Sequence, residues 1–317
     1  MKSIKSHIIN FLFKRGYTLN KTEIIERISL FFFRVLNEER NKKTDNTVGC
    51  IVFSKDRVMQ LHAFINSYFN MVNNPGILYV LYTYSSIEHS NSYSELKSLF
   101  CNQKVVFVEE TKFRDDLIEI VNCIGSKTIG LFVDDMVFVN KIDFDMIKQV
   151  DTRRYILTLS RGKDLNYCVP LSKKMVLPTF YQSAYGFNSF YWDEFNELND
   201  WTFPLGLSGY FYGNSELKIM LEYISFKSPN SLELALGCYH SLFVKRIGLC
   251  PDNILCPCVH ANIVQSDHIN PTIGTHSVDE LLEKWVDGYK IDLSKLYFRK
   301  GSDVQFSNYD FILRSII

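Results

Sequence analysis

The chain has 317 residues, of which 46% are hydrophobic and 15% aromatic, and its 35 basic residues balance 35 acidic ones. This length buries a sizeable core in one α/β unit with or without appendages, and the balanced charge excludes a net field for holding nucleic acid, so any anionic ligand is held by local groups. Eight cysteines (Cys50, Cys101, Cys123, Cys168, Cys238, Cys250, Cys256, Cys258) scattered through apolar runs argue against a disulfide framework, and no apolar run reaches the roughly 20 residues of a membrane span.

Three regions follow in chain order. Residues 1–45 read as basic amphipathic helix: Ile4, Ile8, Ile9 and Leu12 share a face, while Lys2, Lys5, Lys14 and Arg15 supply charge. Such a segment either packs on its own domain or, through residues 1–20, lies weakly on an anionic membrane surface. With no cleavage site after an apolar core, the expectation is a cytoplasmic protein, peripheral on the inner face of the membrane.

Residues 46–145 switch to short apolar strands alternating with helices. Strands are predicted over 48–54, 76–84, 104–110 and 128–134, with helices over 57–69, 92–100 and 113–125, the last closed by Gly125. Four strands joined by three crossovers make a mostly parallel sheet with flanking helices. Residues 146–317 begin with a strand over 154–160 and continue through an aromatic-rich, aperiodic stretch, suited to a binding cleft or to the cover of a core. Helices return over 215–226, 231–244 and 277–288, with Ser277 and Glu280 as a capping box.

Ligands of open α/β sheets bind beyond the carboxyl ends of the strands. Those ends are Ser54–Lys55–Asp56–Arg57, Tyr82–Thr83–Tyr84–Ser85 and Asp134–Asp135. The acidic pair follows a fully apolar strand, and two adjacent carboxylates repel unless a cation relieves them, so Mg²⁺ or Mn²⁺ bridging Asp134 and Asp135 to a diphosphate is the functional expectation. Cys256, Cys258 and His260 share one face of an extended segment, but their spacing with Cys250 matches no usual zinc knuckle, and packing as small apolar groups is the better reading.

A first strand ending in "SKDR", three βα units and an apolar strand ending in an acidic pair resemble the nucleotide-sugar domain of GT-A glycosyltransferases over residues 47–145. The segments "LSRGKDLNYC" (159–168), "NDWTFPLGLSGYF" (199–211), "SPNSLE" (228–233) and "ANIVQ" (261–265) are similar to those of bacterial polysaccharide-cluster glycosyltransferases. The resemblance implies a GT-A-like fold and a nucleoside diphosphate sugar as donor, with a glycan or lipid-linked acceptor. It places Ser54, Arg57 and Tyr84 at base and ribose, Asp134 and Asp135 at the metal and ribose, and Arg114 at ribose or phosphate. Arg161 and Lys163 would meet the diphosphate or an acidic acceptor. For the catalytic base the candidates are Asp193, Glu194 and Asp200, with Asp200 preferred because the neighbouring Trp201 would stack on a sugar.

Two departures stand out. Met136 occupies the position where the common motif carries a second acid, and Ser208–Gly209–Tyr210 replaces an Asp-Gly-His turn of the similar sequences. The alternatives are a non-catalytic carbohydrate-binding or complex-forming module derived from a transferase, and a nucleotidyltransferase, although "SKDR" lacks the glycine of that class's first loop.

Overall fold

The computed structural model describes residues 21–38, 45–169, 171–182, 185–195, 197–262, 274, 276–300, 305–306 and 309–314. The membrane-surface expectation for residues 1–20 therefore lies outside the described residues. Helix α1 (Lys21–Glu38) packs on the domain itself: Ile25 and Phe33 are buried, and Phe32 stacks on Tyr223 at 5.9 Å.

The expected βα succession is present as β1 (Asp45–Lys55), α2 (Val58–Met71), β2 (Leu78–Thr83), α3 (Ile87–Leu99), β3 (Val105–Glu109), α4 (Phe113–Cys123) and β4 (Ser126–Val133). Helix α3 starts five residues before its predicted first turn, because Ser86 caps it by accepting from the His89 amide. Helix α4 is closed at an extended Ile124 and not at Gly125, and the chain enters β4 directly. Beyond come β5 (Tyr155–Thr158), β6 (Tyr181–Gln182), β7 (Asn188–Tyr191), β8 (Tyr210–Gly213), α5 (Asn214–Tyr223), α6 (Pro229–Leu236), β9 (Ile247–Cys250), α7 (Val278–Val286), β10 (Tyr289–Ile291) and β11 (Phe311–Leu313). The single helix predicted over 231–244 is broken: α6 passes into a 3₁₀ turn over Gly237–Tyr239. Ser277 and Glu280 do form the capping box of α7.

Nine strands form one sheet in the order β6-β7-β9-β5-β8-β4-β1-β2-β3. The pairings β4-β1, β1-β2, β2-β3 and β9-β5 are parallel, and only β7 and β8 run against the common direction. The sheet is thus mixed α/β and mostly parallel in strand direction. The unbroken apolar run of β1 is explained by cover on both faces. Val48, Cys50 and Val52 pack with Leu61, Phe64 and Ile65 of α2, while Ile51 and Phe53 pack with Leu117, Ile120 and Val121 of α4. On the outer side of α2, the antiparallel pair β10–β11 and Trp285 of α7 close the first core, with His62 edge-on to Trp285 at 5.3 Å and Arg314 3.7 Å over the same ring.

Strand β8 decides how the two halves meet. Inserted antiparallel between β4 and β5, it begins after a turn in which Gly209 has φ +75°, a left-handed conformation that glycine adopts without steric cost. The Gly209 amide donates to the Leu131 carbonyl and its own carbonyl accepts from Leu159. That turn holds the carboxyl ends of β4 and β5 two strand positions apart.

Candidate functional site

The carboxyl end of β1 leaves the sheet through a strained turn. Asp56 has φ +54°, tolerable for Asp because its short side chain bonds locally: Oδ1 accepts from the Ser85 amide at 2.7 Å, tying the end of β1 to the end of β2. This turn aims Arg57 across the sheet toward the end of β4. Its Nη1 donates to Asp134 Oδ1 at 3.1 Å and to Asp135 Oδ2 at 3.2 Å, and Nη2 donates to the Asn262 carbonyl. Ser54 hydroxyl lies 2.7 Å from that of Tyr93, which also accepts the Arg57 amide at 3.3 Å. One α3 tyrosine thereby fixes both residues.

The pair is well buried, with side-chain exposures of 13% for Arg57, 5% for Asp134 and 14% for Asp135. Burial pushes Asp134 up to about 6; Arg57 opposes that rise and the neighbouring Asp135 charge adds to it. For Arg57, burial disfavours the charge, but the two carboxylates outweigh it and hold the proton above the ordinary range. Around this ion group, Gln60 donates to Asn262 Oδ1 at 2.9 Å. Among the described residues, Arg57 Nε, Gln60 Oε1, Asp135 Oδ1 and Asn262 Nδ2 are buried atoms with no hydrogen-bond partner. Unpaired buried polar atoms are costly, and four in one cluster mark a place suited to a polar ligand.

Tyr84 turns toward β3, its hydroxyl donating to Glu109 at 2.8 Å, and Tyr82 shares that carboxylate at 3.2 Å. Across β8, Arg161 is buried at the end of β5. Its Nε donates to the Asp200 carbonyl at 2.6 Å and Nη1 to Ser160 at 3.2 Å, and its guanidinium lies 5.1 Å from the Tyr210 ring centre. Lys163 is half-exposed and pairs with Asp252 at 2.9 Å.

Asp200 opens a 3₁₀ turn capped by Asn199, and one of its carboxylate oxygens, Oδ2, is buried without a partner. Beside it, burial and the Asp200 charge both hold the Cys168 thiol above its usual range. The stacking expected of the residue beside Asp200 is absent. Trp201 is fully buried, donates to the Leu165 carbonyl at 3.2 Å and packs on Phe190, so it offers no face to a sugar. Asp193 and Glu194 are exposed, and Glu194 accepts the Thr179 amide. Arg114 is committed elsewhere: its guanidinium donates to the carbonyls of Leu221, Glu222 and Ile224, the open end of α5. The ribose-or-phosphate role expected for it has no counterpart in these contacts.

A cation bridging Asp134 and Asp135 needs their facing oxygens, and Arg57 Nη1 holds one from each. Met136 is fully buried, its methyl beside Gly209. Among the described residues no group of three or more His, Cys, Asp or Glu side chains is placed to hold a metal ion. As built, the pair does not fit a bridging metal, and the cysteine segment gathers no zinc site. Cys256 is buried, and burial together with Asp135 holds the Cys258 thiol well above its usual range.

The residues missed by sequence reasoning are Gln60, Tyr93 and Asn262, while Asp56 belongs to the strand end already read there as polar. Gln60 carried a signal, since it lies one helical turn after Arg57 and shares its face.

No family model matches the sequence. Over 197 aligned residues the chain is 25% identical to the bifunctional glycosyltransferase pgtA of Dictyostelium discoideum, a match spanning 54% of this chain and 24% of that relative. The relative is a glycosyltransferase, the class that the sequence motifs resemble, and the chain spans about a quarter of its length. Among solved structures, a nucleotidyl transferase from Methanothermobacter thermautotroptrophicus (Mth528) aligns at TM-score 0.39 and 12% identity, over 66% of this chain and 88% of its own. The mannosyltransferase PcManGT from Pyrobaculum calidifontis, in complex with GDP-Man and Mn²⁺, aligns at TM-score 0.29 and 11% identity, over 47% of this chain and 52% of its own. Among the described residues, no helix is long and apolar enough to cross a membrane.

Proposed function

We propose that the chain is a glycosyltransferase that moves a sugar from a nucleoside diphosphate sugar to a glycan or lipid-linked acceptor. The observation that carries this reading is the convergence of Ser54, Arg57, Asp134 and Asp135 at the carboxyl ends of β1 and β4, with four unpartnered buried polar atoms around them. The match to a glycosyltransferase supports it.

In this reading residues 46–145 bind the donor, with Ser54 and Tyr84 bordering the nucleoside and Asp134 facing the ribose. Residues 146–317 receive the acceptor. Transfer requires a base for the acceptor hydroxyl's proton and positive charge for the leaving diphosphate. Asp200 supplies the first through its unpartnered Oδ2. Arg161 supplies the second: its hydrogen bonds go to a carbonyl and a hydroxyl, its guanidinium lies against aromatic rings, and the buried Glu233 carboxylate acts on it through charge without a hydrogen bond. Lys163 assists from the rim once it leaves Asp252. A Mn²⁺ or Mg²⁺ requirement, natural to the sequence motif, is set aside because of the Arg57 geometry.

Residues 1–20 belong to the same proposal as a weak anchor on the cytoplasmic membrane surface, bringing the enzyme to a lipid-linked acceptor. A chain lacking them that sediments with anionic vesicles as strongly as the full chain would refute the anchor. For the activity, a panel of sugar nucleotides is incubated with the protein and released nucleoside diphosphate is measured. Turnover is expected with one donor class, and Asp200→Asn is expected to lower kcat about 100-fold or more with unchanged donor affinity. Binding without turnover across donors and acceptors would favour a carbohydrate-binding module.

A further inference from the structure

The acidic pair poses a problem of charge that its neighbours answer. Two carboxylates on consecutive residues at the end of a buried strand repel each other, and each loses hydration on burial. Metal-dependent sites relieve this with a divalent ion ligated by oxygen atoms. Here one nitrogen, Arg57 Nη1, donates to both acids at 3.1 and 3.2 Å, in the gap such an ion would share. The guanidinium is not loosely placed. Its backbone amide is held by the Tyr93 hydroxyl, its Nη2 by the Asn262 carbonyl, and the preceding Asp56 turn by the Ser85 amide. Its side chain is 13% exposed.

The next residue of the motif points the same way. After Asp135 the chain turns inward, so Met136, Val137, Phe138 and Val139 are all buried and an acid at position 136 would face the core. Position 136 therefore supplies no third carboxylate to draw a cation away from Arg57.

We infer that Arg57 is the resident counter-ion of Asp134 and Asp135 and stands where a divalent cation would sit, so that the crevice binds its ligand without a metal bridging the two acids. Only the last clause rests on the donor reading; the charge substitution is testable with no donor present. A second consequence follows for the pair itself. Removing the guanidinium while keeping both acids exposes a bidentate carboxylate site of the kind hard cations take, so a metal-binding protein is one substitution away.

The test titrates the full chain with Mn²⁺, following the free aquo ion by electron paramagnetic resonance and, in parallel, the unfolding temperature. Wild type and Asp135→Asn are expected to give the same titration, with no saturable site that depends on Asp135. Arg57→Met is expected to acquire a saturable Mn²⁺ site about tenfold or more tighter than any in wild type, with a rise in unfolding temperature on Mn²⁺ addition. Arg57→Met combined with Asp135→Asn should lose both. A wild-type Mn²⁺ site abolished by Asp135→Asn overturns the inference, as does an Arg57→Met protein that folds and gains no site. Should Arg57→Met fail to fold, the wild type and Asp135→Asn comparison decides alone: identical curves support the inference and a site lost in the variant refutes it. The titrations are repeated with a panel of nucleoside diphosphates in EDTA or in Mn²⁺. Absence of any nucleotide binding defeats the donor reading and leaves the charge substitution standing. Binding that requires Mn²⁺ and Asp135 together defeats the charge substitution and leaves the donor reading standing.

Discussion

Two buried guanidinium groups at the same end of the sheet meet their surroundings in opposite ways. Arg57 is neutralised by two carboxylates and anchored by a carbonyl, while Arg161 lies against Tyr210 and Trp192 with only the Asp200 carbonyl and the Ser160 hydroxyl as hydrogen-bond partners. The first has two carboxylates hydrogen-bonded to it in the absence of ligand; the second has none, only the charge of the buried Glu233 nearby, and in a low-dielectric setting an incoming anion gains from it. His62, two residues beyond Gln60 on the same helix, shows the third outcome for a buried base. Burial, with Lys290 and Arg314 adding repulsion, pulls its pKa down to about 3, so it stays neutral. The difference teaches that the partner, and not burial alone, decides whether a buried base remains charged.

The sharpest way to break the comparison is to remove Arg57. Arg57→Met leaves two buried acids uncompensated and is expected to cost about 3–5 kcal/mol of unfolding free energy at pH 7.5, read from urea denaturation. Arg57 also holds the Asp134 pKa down, so in the variant that acid takes up its proton at a higher pH than in the wild type, and the loss should shrink as the pH falls toward about 6. A loss under about 1 kcal/mol would mean that the ion group contributes little.

His62 supplies the next effect. Its ordinary value is 6.5 and its folded value about 3, so between these the unfolded chain takes up a proton that the folded chain refuses. Stability is unaffected above about pH 7 and falls as the pH drops through that window, by about 2 kcal/mol at pH 5. His62→Gln should flatten this part of the stability profile; an unchanged slope would show that the ring is protonated in the fold.

Arg161→Met sharpens the contrast from the other side. It should lower affinity for the nucleoside diphosphate about tenfold while costing about 1–2 kcal/mol of stability, less than Arg57→Met, since no carboxylate loses a hydrogen bond and the buried Glu233 loses only a neighbouring charge. Equal effects on stability from the two arginine variants would erase the distinction. The smallest effect belongs to Asp56→Ala, which loses the Ser85 bond and must hold a left-handed backbone, for about 1 kcal/mol. Asp56→Gly should recover the conformational part.

How much of this was written in the sequence varies by region. Strands β1, β2 and β4 were legible because burial on both faces demands continuous apolar runs. Strands β6, β7 and β8 were not, being two to four residues long and defined by partners far along the chain. The acidic pair was legible as a strand end. Its bond to Arg57 was not, because that contact spans 77 residues and exists only where β4 pairs with β1. Arg114 and Trp201 mislead for one reason: a residue type suited to a ligand is equally suited to an open helix end or a core, and only tertiary neighbours choose between them.

The inward turn after Asp135 has a consequence for anyone redesigning this crevice. Position 136 is read by the packing of Phe132, Phe138 and Gly209 and not by whatever enters from solvent. Writing the missing acid back into the motif as Met136→Asp would insert a charge into hydrocarbon without restoring a ligand. A route to cation dependence starts from the end of the neighbouring strand, at the arginine, and the letters of the acidic motif can stay as they are.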